Sequence, residues 1–310
     1  MDMLMAVEAP LGPELAEPRT ALASLLKVAG DYLSLLKPKI ILLLVVTELG
    51  AMIVAARGWP RPEVLIGALL GLAMAAGGAG AVNCWFDRDI DKLMPRTRRR
   101  AIAAGRIAPA AGLAFGIAVG LSGVALIAVT ANLLAAALTL AGGLVYVFVY
   151  TIWLKRSTTQ NIVIGGAAGA FPPLVGWAAV TGSLSPLAWV LFAIVFFWTP
   201  PHFWALALLL SKQYSAAKVP MLPAVAGERY TRRSILLYTF LLVAISLVPV
   251  VWLGPIYAAA SIALGGVFLA LAVRASGRQD GASAVALFHY SLAYLALLFA
   301  GAAVAAAVSL

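Results

Sequence analysis

The sequence predicts an all-α, polytopic membrane protein of about nine transmembrane helices, and three observations carry that reading. Apolar residues make up 63% of the 310-residue chain and charged residues only 11%, against roughly a quarter charged in a soluble domain. Apolar runs of about 20 residues, the length that crosses a bilayer as a helix, recur from residue 40 onwards. A single cysteine, Cys84, excludes an internal disulfide framework and a multi-cysteine metal site, so helix packing must hold the fold. The net charge of +10 would point to nucleic acid in a soluble protein. Here the basic residues gather in alternate loops, as they do in membrane proteins, so the bilayer is the expected partner and no nucleic acid is.

In chain order, residues 1–38 read as a cytoplasmic tail and surface helix. Pro10, Pro13, Pro18 and three glutamates, without a basic-then-apolar start, suit a tail rather than a signal peptide. Between Ala21 and Leu36 apolar residues recur at helical spacing around Lys27, Asp31 and Lys37, which suits a helix lying on the membrane surface. Residues 39–310 form one transmembrane domain with spans near 40–56, 64–86, 107–129, 131–150, 161–181, 186–210, 234–253, 255–274 and 284–309. That division sorts the charges. Of 22 Lys and Arg residues, only Arg57 and Arg61 fall outside the N-terminal segment and the loops after spans 2, 4, 6 and 8. The positive-inside rule then predicts a cytoplasmic N-terminus, and the acidic, Arg/Ser-poor tail favours a bacterial cytoplasmic membrane. Gly77-Gly78, Gly142-Gly143, Gly165-Gly166 and Gly169 suit close helix approach. The two longest basic loops, 87–106 and 211–233, each follow a long span, which hints at two related halves.

The strongest chemical signal lies at the end of span 2. Three of the chain's twelve acidic residues, Asp87, Asp89 and Asp91, fall within five positions there. If helical spacing continues, Asn83, Asp87 and Asp91 share one face and Asp89 points away. Two carboxylates and an amide oxygen suit a hard cation such as Mg²⁺, which keeps several waters and takes few protein ligands beside substrate phosphates. Arg88, Lys92, Arg96, Arg98, Arg99, Arg100 and Arg106 surround the cluster with the positive charge that a bound diphosphate needs. The competing reading is a solvated loop of surface ion pairs, each worth roughly 0–1 kcal/mol.

At these residues the sequence resembles the UbiA-type intramembrane prenyltransferases, whose first aspartate-rich motif has the form Asn/Asp-x-x-x-Asp-x-x-x-Asp. Within that superfamily it is similar to the heme-farnesylating branch. The blocks that carry this likeness are Leu36-Lys37-Pro38-Lys39, Arg96-Thr97-Arg98-Arg99-Arg100, Leu154-Lys155-Arg156-Ser157-Thr158, Asn161 to Gly166, Trp198-Thr199-Pro200-Pro201-His202-Phe203-Trp204 and Val219-Pro220-Met221-Leu222-Pro223. It departs from the pattern at Ala101, at Ala217-Lys218, and at Lys212-Gln213-Tyr214, where an aspartate is expected before the tyrosine. Either one metal is held less fully, or Gln213, Tyr214 or backbone groups substitute.

The resemblance implies a UbiA-type bundle in which farnesyl diphosphate and heme B give heme O and diphosphate. Asn83, Asp87 and Asp91 would hold Mg²⁺. Arg88, Lys92, Arg96, Arg100, Lys155 and Arg156 would grip the diphosphate, and Lys155 and Arg156 would join the catalytic set. Tyr146, Tyr150, Trp153, Phe197 and Trp198 are candidates to line the site, with interface or packing roles as the alternative. His202 is the candidate heme ligand; otherwise it bonds a carbonyl freed by Pro200-Pro201. His289 is a weaker candidate, and Glu48 in span 1 is expected to make a buried hydrogen bond. A sister enzyme acting on an aromatic, quinone-precursor or chlorophyll-type acceptor is the nearest alternative. A transporter is disfavoured because the acids cluster at one membrane face. Heme A synthase or terminal-oxidase assembly factors are the protein partners such an enzyme would meet.

Overall fold

The computed structural model describes residues 21–278 and 280–308; the tail expected over residues 1–20 lies outside them. A surface helix, α1 (Ala21–Leu35), leads into α2 (Pro38–Ala56), α3 (Pro62–Phe86), the short α4 (Arg88–Leu93), α5 (Pro109–Thr130) and α6 (Leu133–Leu144). A π-helix (Val145–Leu154) and α7 (Lys155–Ser157) continue α6, and α8 (Asn161–Gly165) runs into α9 (Ala167–Thr181). Then come α10 (Pro186–Leu209), the short α11 (Ser211–Ala216) and α12 (Leu222–Val225), α13 (Glu228–Leu247), α14 (Val250–Gly277) and α15 (Gly281–Val308). Among the described residues, nine helices are long and apolar enough to cross a membrane.

Local chemistry sets where these helices begin. Proline occupies the first turn of α2, α3, α5 and α10, where its missing N–H is no loss and its fixed φ suits the helix. Asn132 caps α6 by accepting the Ala135 N–H at 2.9 Å, and Ser185 caps α10 through Ala188 at 3.3 Å. Packing then closes the bundle. α2 meets both α9 and α15, and α10 meets α9, α13 and α15, so these four form the middle, flanked by α3, α5 and α6 on one side and α13 and α14 on the other. The α3–α5 crossing is the tightest test of the glycine pattern. A Cβ on Gly78 would lie 2.4 Å from the Gly116 carbonyl oxygen, so only glycine allows this approach. Gly143 and Gly169, by contrast, face open space.

The expected nine spans are present among the described residues, but three of them shift. Span 4 reaches Ser157 rather than residue 150 because the π-helix and α7 extend it. Spans 7 and 8 occupy Glu228–Leu247 and Val250–Gly277 rather than 234–253 and 255–274. Pro249 marks the turn, while Gly254, at φ 70°, absorbs Pro255 as a kink inside α14. Arg229, Arg232 and Arg233, read from sequence as loop charges, instead sit in the first turns of α13. Arg232 is buried and donates to the Ala275 and Asp280 carbonyls and to Ser283 Oγ, stitching α13 to the α14–α15 connection. Helix α1 keeps Leu25, Leu26, Val28 and Leu33 exposed. It is tied down by Arg106, which donates to Asp31 at 3.0 Å, and by an edge contact between Tyr32 and Phe115.

Candidate active site

Helix α3 ends at Phe86, yet the helical register runs on. The Asp87 N–H donates to the Asn83 carbonyl at 2.9 Å, and the Asp91 N–H to the Asp87 carbonyl at 2.8 Å. Asn83, Asp87 and Asp91 therefore share one face, as the spacing predicted, and all three are buried, while Asp89 is exposed. An interior position for two carboxylates in a membrane bundle requires partners, and the surrounding elements supply them. Asp87 accepts from the Asn83 amide at 2.8 Å and from Lys155 Nζ on the same oxygen, with Arg156 3.5 Å from its other oxygen. Arg100 donates to both Asp91 oxygens, at 2.9 and 2.8 Å. Asn83 Oδ1 accepts from Lys37 Nζ at 2.6 Å.

The π-helix makes this geometry available. Thr151, fully buried, donates to the Tyr146 carbonyl five residues back and accepts from Asn83 Nδ2 at 3.0 Å. One hydroxyl thus closes the wide turn and fixes the amide, and such π-segments recur at functional sites. The same stretch stacks Tyr146 on Tyr150 at a centroid distance of 5.6 Å and brings the Tyr146 hydroxyl within 3.4 Å of Lys37 Nζ. Gly165 lies against the Tyr150 ring, where a Cβ would approach to 2.4 Å. From α11, Tyr214 reaches the basic side of the cluster. Burial holds its phenol above its ordinary value, against the pull of the Arg96 and Arg100 charges. The neighbouring Gln213 Oε1 is buried without a hydrogen-bond partner among the described residues.

Other sequence candidates fall elsewhere. Arg88 donates to the Trp85 carbonyl and covers the Trp85 ring, and with Asp89 and Lys92 it lines a separate exposed hollow near Gly105. Neither Arg88 nor Lys92 joins the buried face. Arg156 forms a two-pronged pair with Asp89, both contacts at 2.7 Å, which pulls the Asp89 carboxyl down to about 2. Trp153 is 63% exposed and faces outward. Phe197 packs near Phe196 and Tyr238. His289 is exposed, whereas His202 is buried between α10 and α15, stacked on Trp198. The hydrogen bond expected of Glu48 is not made. Its carboxyl group is buried with neither oxygen partnered among the described residues, and its Cγ lies against Gly176 of α9. Sequence reasoning missed Lys37, Tyr146 through its hydroxyl, and Thr151 as parts of the cluster. A threonine inside the apolar 145–154 run was the available signal.

The donor set fits Mg²⁺. Two carboxylates and an amide oxygen lie on one face, every one of them already holding a cationic group. Hard divalent ions bind through such oxygens and share them with phosphate.

The sequence profile of the UbiA prenyltransferase family matches residues 43–308. The chain belongs to that family. Among its relatives, the protoheme IX farnesyltransferase of Gloeobacter violaceus is 53% identical over 87% of this chain and 90% of its own length. That of Acidiphilium cryptum is 51% identical over 92% and 94%. The enzyme of that name from a Roseiflexus species is 52% identical over 91% of this chain, but this chain spans only 52% of it. The fold also matches solved structures. A digeranylgeranylglyceryl phosphate synthase superposes with a TM-score of 0.75 at 14% identity, covering 91% of this chain and 99% of that one. A UbiA homolog from Archaeoglobus fulgidus bound to DMAPP and Mg²⁺ gives 0.66 at 17% identity, covering 88% and 99%. As a family member with nine apolar helices, the chain is a polytopic membrane prenyltransferase.

Proposed function

We propose that this prenyltransferase moves the farnesyl group of farnesyl diphosphate onto a vinyl group of heme B, with addition of water, to give heme O and diphosphate. The observation that carries the reading is the buried face of Asn83, Asp87 and Asp91 ringed by Lys37, Lys155, Arg156 and Arg100. High identity to farnesyltransferases named for protoheme IX supports the choice of acceptor.

Asn83, Asp87 and Asp91 would hold Mg²⁺, which supplies Lewis-acid charge to the departing diphosphate. The chain's own residues do the rest. Lys155, Arg156, Lys37, Arg96 and Arg100 offer donors to the diphosphate oxygens, so the ammonium and guanidinium groups that balance the acids in the ligand-free arrangement turn to the stronger anion. The C1–O bond of farnesyl diphosphate breaks and leaves an allylic cation. The stacked Tyr146 and Tyr150 rings offer π-faces to it. The terminal vinyl carbon of heme B bonds to C1, and the new cation beside the porphyrin takes a water oxygen and loses one proton. The balance is heme B, farnesyl diphosphate and water to heme O and diphosphate. His202 is the residue assigned to the heme. In this reading the basic loops at the Asp87 end face the cytoplasm across a bacterial inner membrane, with the N-terminus, which the Lys/Arg distribution supports.

The test is to incubate the purified protein in lipid with heme B, farnesyl diphosphate and Mg²⁺ and to follow heme products by mass. Wild type should yield a farnesylated, hydrated heme that Asp87→Asn and Asp91→Asn lose. Turnover of farnesyl diphosphate with an aromatic or quinone-type acceptor, and none with heme, would reassign the acceptor.

A further inference from the structure

Each oxygen that the buried face offers to a metal ion already holds a cation of the chain itself. Asn83 Oδ1 accepts from Lys37 Nζ at 2.6 Å. Asp87 Oδ2 accepts from Lys155 Nζ, and Arg156 lies 3.5 Å from its Oδ1. Both Asp91 oxygens accept from Arg100, at 2.9 and 2.8 Å. Asn83, Asp87 and Asp91 are buried, and the Lys155 and Arg100 side chains are only 13% and 26% exposed, so dissolved salt screens these charges little. With Asp89, which shares Arg156, four cationic groups face three carboxylates, a surplus of one positive charge.

The surplus cation is Lys37, because its partner is a neutral amide rather than a carboxylate. Its place is built into the backbone. Lys37 has φ 56° and ψ 56°, a left-handed conformation that residues with a side chain avoid, and the following Pro38 restricts it further. Strain of this kind persists where the surroundings hold it. Here Asn83 and the Tyr146 hydroxyl, at 3.4 Å, hold the ammonium over the site.

A divalent ion entering alone would meet that surplus and would take the acceptors of Lys37, Lys155 and Arg100. A donor bonded to an oxygen lies within roughly 5 Å of a cation bound to the same oxygen. At that range one unit charge weakens the binding of a divalent ion about tenfold even at the screening of bulk water. Each displaced cation would also need a new partner in a buried site. A prenyl diphosphate removes both costs, since its anionic oxygens can accept from these donors while the ion takes the oxygens they release.

We propose that this site excludes a divalent cation on its own and takes it only with, or after, a diphosphate ester, and that Lys37 enforces the order. The proposal rests on Asn83, Asp87 and Asp91 as the metal-holding face and is independent of which acceptor is prenylated. Between turnovers the enzyme then holds no metal, and ion and diphosphate enter and leave together. The test titrates the full-length protein, in nanodiscs of zwitterionic lipid, with Mn²⁺ as an EPR-visible substitute for Mg²⁺. Titrations are run with and without farnesyl S-thiolodiphosphate, whose C1–S bond resists cleavage, and Asp91→Asn marks the binding that belongs to this face. Wild type should bind Mn²⁺ roughly 100-fold more tightly with the analogue than without it. Lys37→Met leaves Asn83 bonded to Asp87 and Thr151 and should raise the affinity for Mn²⁺ alone about tenfold. Lys37→Arg, which keeps the charge, should not. Arg100→Gln also removes one charge and should act in the same direction, which carries the test if Lys37→Met does not fold. Equal affinity with and without the analogue, or a folded Lys37→Met that gains none, overturns the proposal and leaves the metal face standing. Absence of Asp91-dependent binding even with the analogue removes the metal face, and the proposal with it.

Discussion

Two helix ends on the same side of the bundle, those of α3 and α10, present the same outline with different electrostatics. At the end of α3 a short helix continues the register, and three oxygen-bearing side chains turn inward, each met by a lysine or arginine. At the end of α10 the short helix α11 also follows, but it carries Lys212-Gln213-Tyr214 and holds one buried amide oxygen without a hydrogen-bond partner among the described residues. The first end is balanced without any ligand, since a cationic group beside each acid offsets the cost of burying its charge. The second costs about 1–3 kcal/mol for its unsatisfied oxygen, a cost that a bound cation or diphosphate-bound water would remove. A charge at one end and a neutral amide at the other divide the work between gripping and completing.

The sharpest way to break this contrast is to unbalance the α3 end. Asp87→Asn should lower prenyl transfer by roughly 10²–10³-fold, the scale of losing a charged group at a centre of developing charge, with the helical signature by circular dichroism retained. Lys155→Met leaves Asp87 buried with the Asn83 amide and the longer Arg156 contact as its partners. It should cost stability near the low end of about 3–5 kcal/mol, read as a lowered Tm in detergent. If Lys155→Met melts like wild type, Asp87 does not depend on that partner.

The α10 end should respond more gently. Gln213→Leu removes an unpartnered polar atom, so Tm should hold or rise slightly. Diphosphate affinity in the presence of Mg²⁺ should fall about tenfold if the amide oxygen completes the site. Gln213→Asp should make the two ends alike and raise Mg²⁺ affinity, measured by titration calorimetry. No change in either variant would leave the α3 end acting alone.

The difference between the ends also marks how far sequence could reach. Apolar runs and Lys/Arg placement were enough for nine spans, because bilayer thickness and charge asymmetry act on composition. The Asn83–Asp87–Asp91 face was legible because helical spacing survived the break at Phe86. What escaped depended on contacts between distant segments. Lys37 reaches Asn83 across 46 positions and Thr151 across 68, distances no local pattern records. Arg88 and Lys92 look like diphosphate ligands by proximity in sequence, yet they share the outward face with Asp89. The α13 start was misplaced because a buried arginine, Arg232, reads as loop charge until its carbonyl partners are seen.

Asp89 offers the smallest effect and separates the two faces of the α3 end. Its carboxyl is held down to about 2 chiefly by the Arg156 hydrogen bonds, from an ordinary value of 3.8. A depressed carboxylate contributes stability that is fully present above its unfolded value and is lost as pH falls through the folded one. The contribution should therefore be constant at pH 5 and above and disappear between about pH 4 and pH 2. Asp89 is exposed, so solvent screening keeps the effect modest. Thermal melts of wild type and Asp89→Asn should differ slightly at pH 6 and converge as pH approaches 2. Activity at pH 7 should fall little in Asp89→Asn, since Arg156 is released rather than lost. A loss as deep as that of Asp87→Asn would instead show that Arg156 acts only when Asp89 holds it, and the outward pair would then belong to the reacting face.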